Sequence, residues 1–248
     1  MEAIEVFFHP SCLSSKRLMM TLHREGLLTR VRFIDVSNVA GSGAMRFEVW
    51  SVPWLVYNGR AAAMDPIKPE EMLGIIERGE ADVPRHVETA FVRAVLHSSY
   101  ASACVYLHGS LEPVLSESLA SAAVRHPFGG PSPGEVLERV RRAGPDLLED
   151  LMERSLITLG AAYLRAVFWT SDSDARPPDE GEVARRLLAS ASIGRVGLPR
   201  RPIPDPGRVR RLAQRIRDDF SSLLERVSKE QEEVLGDEEY WSVLRGLG

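Results

Sequence analysis

The segment His9-Pro10-Ser11-Cys12-Leu13-Ser14-Ser15 holds the residues best suited to chemistry. Cys12 stands where a short apolar strand gives way to a helix. Unpaired N–H groups at a helix N-terminus, with the helix dipole, favour a thiolate over a thiol. The thiolate is the nucleophile, so a cysteine placed there is expected to be reactive. Ser15 lies three residues on, about one helical turn, with a hydroxyl able to donate to the sulfur. His9 and Lys16 are the nearby titratable or cationic groups. A second element is Ser51-Val52-Pro53-Trp54. Proline cannot donate to a sheet ladder, so Pro53 at the start of a strand has positional meaning.

The flanking patterns show what must hold these residues. Ile4, Val6 and Phe8 recur at period two and read as a buried strand. A helix follows from near Ser11 to about Glu25, with Leu18, Met19 and Leu22 as its apolar stripe and Gly26 as its stop. Val31 to Val36 is a second strand, and strand–helix–strand at this spacing is a right-handed parallel unit. Residues 37–51, with Gly41 and Gly43, are looser and leave room for one short helix. Trp54 to Tyr57 and Arg60 to Met64 are strands joined by a two-residue Asn58-Gly59 turn. Pro69 opens a helix in whose first turn Glu70 and Glu71 match the positive helix end, and Gly79 closes it.

From about residue 82 the strand signals vanish. Val83 to Leu107 and Leu111 to Val124 are expected as helices, followed by a Gly/Pro loop at 126–134. Gly134 to Arg142, Pro145 to Trp169 and Asp179 to Ser192 are further helices. Residues 197–207 are too proline-rich for helix or strand. Val209, Leu212, Ile216, Phe220, Leu223 and Val227 predict one long amphipathic helix. The expected architecture is an α/β domain over 1–80 and an all-α domain over 81–248, with no strand of four residues or more in the latter.

Composition narrows the function classes. A chain of 248 residues with 44% hydrophobic and 27% charged residues reads as soluble and globular. The most apolar stretch, Leu151 to Trp169, contains Glu153, Arg154 and Arg165, so no membrane span is expected. MEAIEVFF lacks the positive start of a secretory signal. Two cysteines exclude a disulfide scaffold and a cysteine-rich zinc site, and a cytoplasmic location is expected. A net charge of −4 speaks against nucleic-acid binding. The eight arginines between Arg195 and Arg217 read as a solvated surface. His97 and His108 have no acidic partner at ligand spacing, so no metal site is expected. Cys104, among Ala101, Ala103, Val105 and Leu107, reads as a buried hydrophobe out of reach of Cys12. The sequence leaves the oligomeric state open.

Taken together, C-x-x-S after the first strand, Val52-Pro53 before the third and the Asn-Gly hairpin resemble the thioredoxin superfamily. The small β-α-β-β-α layout of residues 1–80 is most similar to glutaredoxins. The resemblance implies a thioredoxin-like fold in which Cys12 attacks disulfides and Pro53 follows a cis peptide bond beside it. It also implies that Val52 offers its backbone to a bound thiol substrate. Ser15 stands where dithiol members carry their second cysteine, and Cys12-Leu13-Ser14-Ser15 differs from the Cys-Gly-Phe-Ser of single-cysteine glutaredoxins. A thioredoxin-like domain followed by an all-α domain is also the layout of glutathione transferases. There, an acid after the hairpin helps to hold glutathione, and Asp65 occupies the similar place. The segment around Cys12 is similar to the start of glutaredoxin-like arsenate reductases as well, without their long insertion.

The expected activity is that of a thiol–disulfide oxidoreductase or thiol transferase. Cys12 and Ser15 are its catalytic candidates, and Val52, Pro53 and Asp65 its substrate-binding candidates. Its substrates would be disulfides, mixed-disulfide proteins or small thiols. It needs no metal or organic cofactor, and glutathione or another small thiol could act as co-substrate. The alternative is a non-catalytic binding or scaffold protein that retains the thioredoxin-like module as a relic.

Overall fold

Alternating apolar residues at Ile4, Val6 and Phe8 build the strand around which the N-terminal region is organised. The computed structural model describes residues 3–37, 42–170, 176–194 and 204–247. The chain begins with β1 (Ile4–Phe8), α1 (Leu13–Arg24), β2 (Arg32–Asp35), β3 (Trp54–Tyr57), β4 (Arg60–Met64) and α2 (Pro69–Arg78). The sheet order is β2-β1-β3-β4, with β2 parallel to β1 and the other neighbours antiparallel. Val6 is paired with Phe33 on one side and Leu55 on the other. Asn58 and Gly59 both have positive φ (49° and 77°), as the tight β3–β4 turn requires. Gly79, at φ 68°, caps α2.

Eight helices follow among the described residues: α3 (Val87–His97), α4 (Ser99–His108), α5 (Glu117–Val124), α6 (Pro133–Thr170), α7 (Glu180–Gly194), α8 (Pro206–Asp218), α9 (Phe220–Leu235) and α10 (Glu238–Leu247). A mixed α/β region is thus followed by a helical one, and no described strand lies beyond Met64. No helix among the described residues is long and apolar enough to cross a membrane.

Local capping breaks three helices that the sequence pattern reads as continuous. Ser98 is extended and its hydroxyl accepts from the Ala101 N–H, so it ends one helix and starts another inside 83–107. Ser116 does the same for Leu119, and the 111–124 segment becomes a 3₁₀ turn (Glu112–Val114) followed by α5. The 209–227 helix divides at Asp219, which closes α8 and whose carbonyl accepts from Leu223. In contrast, the two helices expected at 134–142 and 145–169 are one, running through Gly144-Pro145. Proline's fixed φ suits a helix, and the local loss includes the hydrogen bond its missing N–H would have made. Residues 38–41, 195–203 and the arginines Arg195, Arg200 and Arg201 lie outside the described residues.

The chain forms two compact units. The first comprises Met1–Ala94, Ser116–Val140 and Gln231–Gly248, and the second comprises Val95–Leu115 and Arg141–Glu230. In the first, Val6, Leu18, Leu22, Leu55, Met72 and Ile75 form the main apolar core. A smaller cluster joins Phe8, Met19 and Met20 to Val234 and Tyr240. In the second, α4 is buried from Ala101 to Leu107 and packs on α7. The Tyr106 hydroxyl donates to the Arg208 carbonyl (3.0 Å).

One buried ion pair fastens α5 within the first unit. Arg125 Nε lies 2.7 Å from Glu71 Oε1, and both side chains are nearly inaccessible. The same guanidinium donates to the carbonyls of Ala122 (2.9 Å) and Pro66 (3.2 Å). It therefore ties the end of α5 to α2 and to the turn after β4. Removing one member of such a pair leaves the other as an uncompensated buried charge. Arg125→Ala is expected to destabilise the first unit by about 3–5 kcal/mol. Urea unfolding followed by a probe in the sheet checks this, and a loss below about 1 kcal/mol would contradict it.

Candidate functional site

β1 ends at Phe8 and α1 begins at Leu13, so His9 to Cys12 form the turn between them. Cys12 is the extended residue just ahead of the helix. Its N–H donates to the His9 carbonyl and its carbonyl accepts from the Lys16 N–H, both at 2.9 Å. The thiol donates to the Val52 carbonyl at 3.3 Å. The Val52–Pro53 bond is cis, as the sequence leads one to expect, and so is Asp65–Pro66. The Pro53 carbonyl accepts from the Asp65 N–H at 2.9 Å, which brings Asp65 beside Pro53. Cys12, Ser15, Val52, Pro53 and Asp65 are therefore gathered in one place.

The electrostatics correct the expectation of a ready thiolate. Burial pushes the Cys12 thiol up from its ordinary value, and the Asp65 carboxylate adds to the rise. The Ser15 hydroxyl and the amides of Ser15 and Ser14 pull it down. The helix end acts in the direction anticipated, but desolvation of the sulfur outweighs it. The residue keeps part of its surface, yet the sulfur is crowded by protein, so the resting group is the thiol.

Ser15 is buried, and its oxygen makes no ordinary hydrogen bond. It is near enough to Cys12 to favour the ionised sulfur. A thiol is a weak acceptor, so the Ser15 hydroxyl gains a strong partner only when the sulfur carries charge. Ser51 Oγ and Trp54 Nε1, on either side of the cis bond, are likewise buried without a hydrogen-bond partner among the described residues.

Neither candidate cation serves the sulfur. Burial lowers the His9 pKa, with the Asp35 charge opposing. His9 Nδ1 accepts from the Ser11 N–H (3.2 Å), an arrangement that, like burial, favours the neutral ring. The buried Lys16 ammonium lies 2.8 Å from Asp237 and donates to the Glu233 carbonyl at 2.5 Å.

Those partners belong to a part of the site that local sequence patterns do not reveal. Tyr240 of α10 is fully buried, and its hydroxyl donates to the Pro10 carbonyl at 2.9 Å. Burial, then the charges of Cys12, Asp35 and Asp237, push its phenol far above the usual range, so it stays un-ionised. Asp237 accepts from the Tyr240 N–H (3.0 Å) and so caps α10. Its hydrogen bond with Lys16 holds its carboxyl below the usual carboxylate value. Arg17 grips both oxygens of Glu233 at 3.1 Å. The available sequence signal was weak: the acids Glu233 and Asp237 near the apolar stripe Tyr240, Val243 and Leu244.

Cys104 is fully buried in α4, with its sulfur 3.6 Å from the Ala191 carbonyl. Neither cysteine is in a disulfide. Among the described residues no group of three or more His, Cys, Asp or Glu side chains is arranged to hold a metal.

Fold and site together define a small four-stranded mixed sheet with helices, compatible with a thioredoxin-like fold, carrying a cysteine at the start of its first helix. Compared with protein-family models, curated proteins and solved structures, the chain finds no significant match in any of the three.

The opposing influences on Cys12 can be read by alkylation with iodoacetamide over a pH series. Ser15→Ala removes a group that lowers the thiol pKa, so the midpoint for Cys12 should move up and its rate at pH 7 should fall. Asp65→Asn removes a negative charge that raises it, so the midpoint should move down and the rate should rise. Shifts of the same sign in both variants would contradict this account.

Proposed function

We propose that the chain is a glutaredoxin-like thiol–disulfide oxidoreductase or thiol transferase, with Cys12 as its single nucleophile on a thioredoxin-like α/β region. The observation that carries this is the Cys12 thiol at the start of α1, 3.3 Å from the Val52 carbonyl and ahead of cis Pro53. Cys12 first loses its proton to solvent, and Ser15 donates to the resulting thiolate. The sulfur then attacks a disulfide: a new S–S bond forms to Cys12, the old one breaks, and the departing thiolate takes up a proton. Ser15 has no sulfur with which to resolve the mixed disulfide. A second thiol, of the glutathione class, attacks it and releases Cys12 reduced. In this scheme the Val52 backbone and the Asp65 carboxylate, beside Pro53, contact the small thiol. Two cysteines outside any disulfide suit a reducing, cytoplasmic compartment.

One observation favours a second reading, a non-catalytic binding or scaffold protein: burial raises rather than lowers the Cys12 pKa. Turnover separates the two. With a peptide–glutathione mixed disulfide and excess glutathione, the wild-type chain should release oxidised glutathione above background. Cys12→Ser should abolish this and Cys104→Ser should retain it. Background rates in the wild type, with a Cys12 midpoint at or above about 8.5, would establish the scaffold instead.

A further inference from the structure

We infer that Tyr240 is a positioning residue of the Cys12 site, holding the His9–Cys12 turn closed over the sulfur from 230 residues along the chain. The inference rests on Cys12 being the reactive group of the preceding proposal, and it adds a residue that no motif near Cys12 contains. Three observations carry it. First, the Tyr240 hydroxyl has a single defined job: it donates to the carbonyl of Pro10, two residues before Cys12, at 2.9 Å. Second, its ring is fully buried with Phe8, Met19 and Met20, residues from the strand and helix that flank that turn. Third, α10 is fastened to α1 rather than merely lying near it. Lys16 Nζ is 2.8 Å from Asp237, the residue that caps α10, and donates to the Glu233 carbonyl just upstream.

The turn from His9 to Cys12 carries few internal bonds. The Cys12 N–H is fixed to the His9 carbonyl, and the His9 ring is fixed to Ser11. The Pro10 carbonyl accepts from outside the turn, and Tyr240 provides that clamp. A phenol suits this place because it must remain a donor. The charged and titratable groups around the sulfur and the phenol include Asp65, Asp35 and Asp237, with Lys16 committed to the last of these, and His9 in the turn itself, whose pKa burial lowers. All three acids oppose ionisation of Tyr240 or Cys12, so the O–H keeps its proton and the clamp does not release at neutral pH. By holding the turn down, Tyr240 maintains the burial that is the largest influence on the Cys12 thiol.

Tyr240→Phe removes the hydroxyl and keeps the ring. The experiment measures alkylation of Cys12 and Cys104 in the same full-length chain, by mass spectrometry over a pH series, alongside thermal unfolding. In Y240F, the Cys12 midpoint should fall and its rate at pH 7.5 should rise about tenfold, the change in thiolate fraction produced by one pKa unit. Cys104, buried in α4, should be unaffected. Asp237→Asn weakens the fastening of α10 while leaving the phenol, and should accelerate Cys12 less than Y240F does. An unchanged Cys12 profile in Y240F would overturn the inference. So would equal acceleration of both cysteines, which would mark general loosening, or an effect of D237N as large as that of Y240F. Alkylation needs no disulfide substrate, so a failure of the oxidoreductase proposal would show as absent turnover while this result stood or fell separately.

Discussion

The contact between the Cys12 thiol and the Val52 carbonyl governs the chemistry of this site. It joins the start of α1 to the residue ahead of β3, and it is a bond that only a protonated sulfur can make. A carbonyl oxygen offers lone pairs, which attract a thiol hydrogen and repel a thiolate. The contact therefore selects the neutral form, as burial does. Ser15 works the other way, because its buried hydroxyl has no ordinary partner until the sulfur is charged. Ionisation of Cys12 amounts to an exchange of partners, from an acceptor at Val52 to a donor at Ser15. The helix terminus alone does not decide the matter, since a terminus stabilises charge only as far as the surrounding desolvation permits.

Two buried cations show how the first unit is held around that contact. Arg125 and Lys16 each sit beside one carboxylate, Glu71 and Asp237; Arg125 also satisfies two carbonyls and Lys16 one. A buried ion pair adds little net stability over an apolar substitute, but a mispaired one is costly. Such pairs therefore specify which segment docks where. Arg125 fixes α5 against α2 and the Asp65–Pro66 turn, while Lys16 fixes the last helix against the first.

Features set by neighbouring residues were legible in the sequence. The period-two run at Ile4, Val6 and Phe8, the Asn58-Gly59 turn, and the Pro69 and Gly79 helix limits each depend on a few adjacent positions. The gathering of Cys12 with Val52, Pro53 and Asp65 was implied by the resemblance to the thioredoxin superfamily, since no local pattern links residues forty positions apart. The breaks at Ser98 and Ser116 were hidden because a serine inside an apolar periodic run looks like a tolerated polar residue. Only the backbone shows that its hydroxyl caps a new helix. The passage through Gly144-Pro145 was missed for the opposite reason: a pair that usually ends helices is accommodated within one. Lys16 reads in the sequence only as a cation near Cys12, because its actual partner Asp237 is remote and nothing local points to it. Tyr240 was invisible for the same reason: its partner Pro10 lies 230 residues away, and the sequence pattern predicts no element beyond Val227.

The discontinuity of the first unit has a bearing on its synthesis. A ribosome makes β1 and α1 early, and residues 231–247 only after the whole second unit has been produced. Throughout that interval Lys16 lacks its carboxylate and the Pro10 carbonyl lacks its phenol. A nascent sheet could pair its strands, but the patch of Phe8, Met19 and Met20 that receives Val234 and Tyr240 would stay wet and uncovered. The vectorial order of translation thus delays the Tyr240 and Asp237 contacts until the second unit has been made, long after the strands beside the cysteine are available.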